Sequence, residues 1–334
     1  MPAVTALPEV DLRHPTDQLR KRLREVAHEV GFFYLTGHQV PPSLTRRMLA
    51  AARQLFALPQ SAKDEVAMVR SPHFRGYTRL GGELTRGEVD WREQIDIGPE
   101  REPIGGAGKP DYLWLQGPNQ WPAGLPELPG VIAEWDAALA AVSRALLRHW
   151  AAALGSPSDV FDAAFETAPA TLIKVVHYPA TAATPQGVGA HRDSGVLTLL
   201  LAEPGSAGLQ VRGRNGDWID VPALDGAFIV NIGELLELAT GGYLRATEHR
   251  VNLLEESDRI SVPYFFNPRL DAQIPRLTLP GDLARRAQPR ADPSDPIHPV
   301  YGRNAWKSRL RAHPDVAAAH GYVTGSAEVV TPGG

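Results

Sequence analysis

The sequence predicts an α+β protein, and two observations predict it. Up to about residue 165 apolar side chains recur at the three-and-four spacing of helices, whereas beyond Thr167 the period falls to two, in short runs bounded by turn residues. Seven or eight short strands imply a closed or double-sheet barrel, and a jelly roll of the cupin type, a double-stranded β-helix, fits the count. The expected organisation is an N-terminal helical region at 1–165, a jelly-roll core at 166–270 and a C-terminal extension at 271–334, packed on one another as a single unit.

In chain order, Val10-Asp11-Leu12 reads as a short strand. Asp17 is placed to cap a helix running to about Val30, with Leu19, Leu23, Val26 and Ala27 on one face and Gly31 as its stop. A strand follows at 32–35, and Pro41-Pro42-Ser43 opens a second helix that buries Leu44, Met48, Ala51 and Leu55 and ends at Pro59. The glycines between Phe74 and Glu93 lack the spacing and the Lys-Ser/Thr end of a phosphate loop. Proline, glycine and tryptophan crowd residues 103–129, an ordered irregular loop because Trp114 and Trp121 must pack on something. It is either a wall of an active site or a structural belt. Helical periodicity returns over 128–154, with Trp135, Leu139, Val142, Leu146 and Trp150 as the buried stripe. Strands are expected at 172–178, 196–202, 209–212, 218–221, 227–232, 247–252 and 260–266, with a hairpin turn at Gly213-Arg214-Asn215-Gly216. A last helix is expected near 302–310 and a frayed tail over 325–334.

Composition narrows the function. With 43% apolar and 22% charged residues the chain is ordinary globular protein, and a net charge of −4 gives no footprint for nucleic acid or an anionic membrane surface. The absence of cysteine excludes disulfides, thiolate nucleophiles and iron–sulfur clusters, so any metal must be held by His, Asp or Glu. The N-terminus lacks the basic and apolar regions of a signal peptide, and no apolar run approaches membrane-spanning length, so a cytoplasmic protein is expected. Oligomeric state is not legible.

The chemistry concentrates in Gly187-Val188-Gly189-Ala190-His191-Arg192-Asp193-Ser194. Residues i and i+2 share a strand face, so His191 and Asp193 can face one metal ion, and His249 in Thr247-Glu248-His249-Arg250-Val251 is the expected third ligand. Two imidazoles and one carboxylate, with positions left open, suit non-haem Fe(II) in an oxygenase; zinc for hydrolysis is the competing reading, although no glutamate stands helically beside the ligands as a base. Ten residues on, Arg259 and Ser261 share a face of the last strand, a guanidinium fork and a hydroxyl placed to clamp a carboxylate, the alternative being an arginine that snorkels from a barrel rim.

The order His-x-Asp, His, Arg-x-Ser resembles the iron(II)- and 2-oxoglutarate-dependent oxygenases of the isopenicillin N synthase-like family. The likeness extends to Asn231-Ile232-Gly233-Glu234, to His177-Tyr178-Pro179 and to the stretch from Val30 to His38, and so covers nearly the whole chain. It implies an Fe(II) enzyme using 2-oxoglutarate and O2 on a small-molecule substrate, with hydroxylation as the default outcome and desaturation, cyclisation or ethylene formation set by substrate placement. It also implies that Tyr178, Lys174 and Asn231 line the cosubstrate side, though each is equally readable as a satisfied rim or capping residue. Family members that oxidise without 2-oxoglutarate carry the same Arg-x-Ser, so that alternative stays open, as does a non-catalytic binding barrel. The segment from Phe74 to Glu93 is similar to the bacterial ethylene-forming-enzyme-like branch, which makes Glu83 and Thr85 substrate-side candidates together with Arg311 and Phe265. That branch implies a small polar, amino-acid-like substrate.

Overall fold

The computed structural model describes residues 6–13, 16–180, 186–253, 258–290 and 292–322; the tail expected at 325–334 lies outside them. Strand β1 (Glu9–Asp11) leads to helix α1 (Asp17–Glu29). The cap of α1 is Thr16, whose hydroxyl accepts from the Leu19 amide at 3.2 Å; Asp17 instead occupies the first turn, where its charge complements the helix dipole. Gly31 follows at φ +74°, and a Cβ there would stand 2.2 Å from the Arg245 carbonyl oxygen. Next come β2 (Phe32–Thr36), α2 (Pro42–Ala57), the short α3 (Gln60–Glu65), and four strands, β3 (Gly76–Thr78), β4 (Glu83–Thr85), β5 (Glu88–Asp90) and β6 (Glu93–Ile97). The expected irregular loop holds one 3₁₀ turn at Asp111–Leu115 before the long α4 (Leu128–Ala153) and α5 (Asp162–Phe165).

The strand-rich part comprises β7 (Leu172–Tyr178), β8 (Gln186–His191), β9 (Leu197–Ala202), β10 (Leu209–Arg212), β11 (Trp218–Asp220), β12 (Phe228–Ile232), β13 (His249–Asn252) and β14 (Arg259–Phe266), with α6 (Glu234–Ala239) after β12. The short α7 (Gly281–Ala284), then α8 (Tyr301–Ala312) and α9 (Pro314–Ala319), complete the described chain. Eight strands form one sheet in the order β1-β2-β12-β9-β14-β7-β6-β3, four form a second in the order β11-β10-β13-β8, and β4 and β5 make a separate hairpin. The large sheet therefore draws strands from both sides of the change in periodicity.

Alternation decides which side chains reach the site. On β14, Ile260, Val262, Tyr264 and Phe266 point to the core shared with α1, α2 and α4, while Arg259, Ser261, Pro263 and Phe265 line the cavity between the sheets. On β7, Ile173 and Val175 face the same core, and Lys174 and Tyr178 the cavity. A smaller apolar cluster, including Phe32, Val176 and Ile229 from the large sheet and Val188, Val211 and Val251 from the small one, joins the two faces. Pro263 sits in a central strand, where a missing N–H is costly. The pairing of β14 with β7 accordingly lapses between Ser261↔Val176 and Tyr264↔Ile173, while β9 continues alongside. Trp150 anchors α4 to α1 by donating its indole N–H to the Leu23 carbonyl at 3.2 Å. Among the described residues no helix is long and apolar enough to cross a membrane.

Gly31→Ala is expected to lower stability by more than the ~1–2 kcal/mol of a left-handed backbone, because the Arg245 carbonyl must also move. Thermal unfolding measures this; an unchanged midpoint would mean that the α1–β2 corner relaxes without cost.

Candidate active site

His191 and His249 are cross-strand partners on β8 and β13, with ring centroids 4.3 Å apart. Asp193 lies just beyond the end of β8 rather than on the strand with His191, so the shared-face argument for that pair is replaced by a turn after His191. Its Oδ1 stands 3.6 Å from His191 Nε2 and 3.8 Å from His249 Nε2, and one ligand atom from each of the three residues falls within 4.8 Å of the others. Asp193 Oδ2 accepts hydrogen bonds from Thr198 Oγ1 (2.6 Å) and Asn231 Nδ2 (2.7 Å), side chains of β9 and β12 in the facing sheet. His191 Nδ1 lies 2.8 Å from the Gly189 carbonyl and His249 Nδ1 3.1 Å from that of Thr247. A neutral imidazole that donates through Nδ1 presents a free lone pair on Nε2, the tautomer a metal requires.

The electrostatics differ at the two histidines: at His191 burial opposes the charge, but the hydrogen bond and charge of Asp193 outweigh it and raise the imidazole, so a metal there displaces a proton. Burial, then the neighbouring His191, pushes His249 down to about 4, so it is neutral at ordinary pH. Burial works against the charge on Asp193, but His249, His191 and Thr198 outweigh it and hold the carboxyl far below its usual range. A donor set of two imidazole Nε2 atoms and one carboxylate, without thiolate, fits Fe(II) with coordination positions to spare.

The triad opens on a cavity of about 1060 Å³, which also receives Arg259, Ser261, Tyr178, Lys174, Asn231, Glu83, Thr85, Phe265 and Arg311. Arg259 and Ser261 are both 3% exposed. The Arg259 guanidinium stacks 4.5 Å from the Tyr178 ring centroid and donates to the Ala207 carbonyl at 2.6 Å, yet its Nε has no partner and no carboxylate of the described residues pairs with it. Tyr178 is thus the platform for Arg259, and Asn231 the support of Asp193.

Lys174, expected beside Tyr178 on the cosubstrate side, lines the same cavity as Tyr178. Its ammonium is committed to Glu83 (2.8 Å) and Asp96 (3.1 Å). Glu83 is likewise no free acceptor, being 5% exposed and already neutralised by Arg92 (2.7 Å) as well as Lys174. Thr85 donates to Asp90 at 2.7 Å, and Arg311 reaches Asp295 at 2.9 Å on an exposed rim. Sequence reading missed Thr198, Asp96, Arg92, Arg75, Arg309 and Tyr301. The one available signal was for Thr198, the sole polar residue in the apolar run 196–201. In the loop at 103–129, Leu115 forms part of the cavity wall, while Trp121 donates to Glu100 at 3.2 Å.

Removing either donor to Asp193 leaves a buried carboxylate oxygen short of one hydrogen bond. Asn231→Leu and Thr198→Val are each expected to weaken Fe(II) binding by roughly 10–100-fold, the range typical of residues that orient metal ligands. Anaerobic metal titration with circular dichroism as a folding control reads this; wild-type affinity in both variants would remove the pair from the site.

Comparison with known proteins agrees with this architecture. Residues 7–124 match the family described as non-haem dioxygenase in morphine synthesis N-terminal, and residues 170–268 match the 2OG-Fe(II) oxygenase superfamily. The chain is 33% identical over 316 residues to the 2-oxoglutarate-dependent dioxygenase frbJ of Dothideomycetidae sp. (strain 11243), covering 88% of this chain and 85% of that one. It is 32% identical over 264 residues to a homoarginine-6-hydroxylase of Glycine max, covering 76% and 78%. A full-length Neurospora crassa protein crystallised with alpha-KG and thymine superposes with a TM-score of 0.73 over 90% of this chain and 96% of that one at 23% identity, a likeness of fold. A jelly roll with a His-Asp-His cluster at its mouth, matched by both family segments and by relatives along most of its length, places the chain in the 2OG-Fe(II) oxygenase superfamily as a 2-oxoglutarate-dependent dioxygenase, an enzyme whose cofactors are Fe(II) and 2-oxoglutarate.

Proposed function

We propose that His191, Asp193 and His249 hold the Fe(II), that Arg259 and Ser261 take the distal carboxylate of 2-oxoglutarate, and that the enzyme hydroxylates a small amino-acid-like substrate in specialised metabolism. The observation that carries this reading is the pairing, in one cavity, of a metal-competent triad with a buried guanidinium that lacks a carboxylate. Bound iron and 2-oxoglutarate supply the oxidising chemistry, consuming O2 and releasing succinate and carbon dioxide.

The chain's share is positioning. Thr198 and Asn231 fix the Asp193 carboxylate, while the Gly189 and Thr247 carbonyls fix the two imidazole tautomers. Tyr178 holds the Arg259 fork flat, and Ser261, two residues along the same face, offers a hydroxyl beside it. Apolar walls at Phe32, Leu200, Leu209 and Val251 keep this end of the cavity dry, which strengthens each charged contact.

The amino-acid-like substrate is supported by the named activity of the homoarginine-6-hydroxylases, 30–32% identical to this chain, and by a cavity wall built of charged groups. The expected likeness to the bacterial ethylene-forming-enzyme-like branch rests on the segment from Phe74 to Glu93, whereas the relatives named above are fungal and plant proteins; the substrate-side candidates it implies are Glu83, Thr85 and Arg311. The first two are already engaged within the protein, so we assign hydroxylation rather than ethylene release.

L-arginine and L-homoarginine are expected to stimulate succinate formation by the iron-loaded enzyme; no stimulation by any amino acid in a broad panel would overturn the substrate reading. Hydrogen bonds to charged groups are worth roughly 1.5–3 kcal/mol, so Arg259→Gln is expected to raise the KM for 2-oxoglutarate about ten- to a hundredfold. A KM unchanged by that substitution would assign the clamp to another ligand.

A further inference from the structure

Among the described residues five buried cations line the cavity: Arg75, Arg92, Lys174, Arg259 and Arg309. Three are compensated by protein carboxylates. Arg92 pairs with Glu83 and Asp90, Lys174 with Glu83 and Asp96, and Arg309 with Asp96. Arg259 is accounted for by the cosubstrate. Arg75 is the cation left over.

Arg75 precedes β3 and is 7% exposed. Its Nη2 donates to the Leu115 carbonyl at 2.9 Å, its Nε has no partner, and among the described residues no carboxylate forms an ion pair with it. A second polar group beside it is also unspent. Tyr301, at the start of α8, is 7% exposed and lines the same cavity, its hydroxyl unbonded among the described residues, in the field of both Arg75 and Arg309. α8 presents the small side chains of Ala305, Ser308 and Ala312 to the cavity together with Tyr301, Arg309 and Arg311. Asp96 and Glu100 act on Arg75 only from beyond ion-pair distance, and a buried guanidinium without a paired carboxylate is costly to maintain.

We propose that Arg75 and Tyr301 form the receptor for a carboxylate of the prime substrate, a site separate from the Arg259 clamp that holds the cosubstrate. The guanidinium offers charged N–H donors and the phenol one O–H, a set that matches the two oxygens of a carboxylate and not an amine. The inference rests on the reading of an amino-acid-like substrate, and it commits that substrate to entering with its carboxylate toward the face of α8, away from β14. Recognition by Arg75 is consistent with Arg92, Lys174 and Arg309 each being tied down, which leaves Arg75 as the one buried guanidinium among the described residues, outside the Arg259 clamp, that is free to orient a carboxylate.

Two arms test this on the Fe(II)-loaded enzyme with saturating 2-oxoglutarate. In the first, succinate formation is compared for L-arginine and its decarboxylated counterpart agmatine. Arg75→Gln is expected to lower kcat/KM for the acid roughly ten- to a hundredfold more than for the amine, and Tyr301→Phe about threefold to tenfold more, without raising the KM for 2-oxoglutarate. Equal losses for acid and amine in both variants would overturn the assignment. The second arm does not depend on the substrate being an amino acid: under anaerobic conditions, thermal unfolding is followed with hexanoate or hexylamine. Hexanoate alone is expected to raise the midpoint of the wild type, and to lose that effect in Arg75→Gln. If amino acids fail to stimulate turnover while hexanoate still acts through Arg75, the substrate class falls and the carboxylate receptor stands. If hexanoate stabilises both proteins equally or neither, the receptor falls.

Discussion

The buried carboxylate of Asp193 is the constraint on which the rest of the site depends. A charge this poorly solvated persists only where fixed partners replace water. Those partners come from both sheets: Thr198 and Asn231 from β9 and β12 of the large one, His191 and His249 from β8 and β13 of the small one. The His-Asp-His cluster is therefore assembled by closure of the barrel rather than by any single motif. Gly233 sharpens the point, because a Cβ there would stand 2.1 Å from the Gly195 carbonyl oxygen, in the turn that carries Asp193 toward the histidines. The Glu234 amide donates to the Asp193 carbonyl at 2.7 Å and locks that turn to the start of α6.

From this anchor the division of labour follows the strand pleat. Outward residues of β7, β9, β12 and β14 build the apolar core with α1, α2 and α4, and inward residues of the same strands bring Lys174, Tyr178, Thr198, Asn231, Arg259 and Ser261 to one cavity. Rigidity on the outer face thus positions polar groups on the inner one, which is how a site keeps its geometry without a ligand. The wall opposite is held by charge rather than by apolar packing, through the chain Arg92–Glu83–Lys174–Asp96–Arg309. That chain ties the β4–β5 hairpin, β6, β7 and α8 together around the cavity.

Long periodic elements were legible. The strand expected at 172–178 has those bounds in β7, and α4 carries the stripe from Trp135 to Trp150 fully buried. The order His191, Asp193, His249, Arg259, Ser261 identified side chains that the structure brings to a common cavity. What escaped were elements too short for periodicity to register, such as α5 and α7 with four residues each, and strands whose buried positions are charged. Asp90, Arg92 and Asp96 carry no local sign of burial, since charges are rarely buried unless paired, and the partners in their network lie as far away as Lys174 and Arg309. Glu83 was legible as a residue of the cavity but not as a neutralised one, because that depends on a lysine 91 residues further along the chain. Arg75 carries no local signal at all; only the absence of a partner in three dimensions distinguishes it.

One iron held by His191, Asp193 and His249, from β8, the turn after it and β13 of the small sheet, with a chelating cosubstrate beside it, is the centre of this reading. Anaerobic titration of the protein with Fe(II) in the presence of 2-oxoglutarate, followed by visible absorption, tests this most directly. The account predicts a charge-transfer band that saturates at one iron per chain and is absent from His249→Ala although that variant folds. A full band in His249→Ala, or none in the wild type, would contradict it.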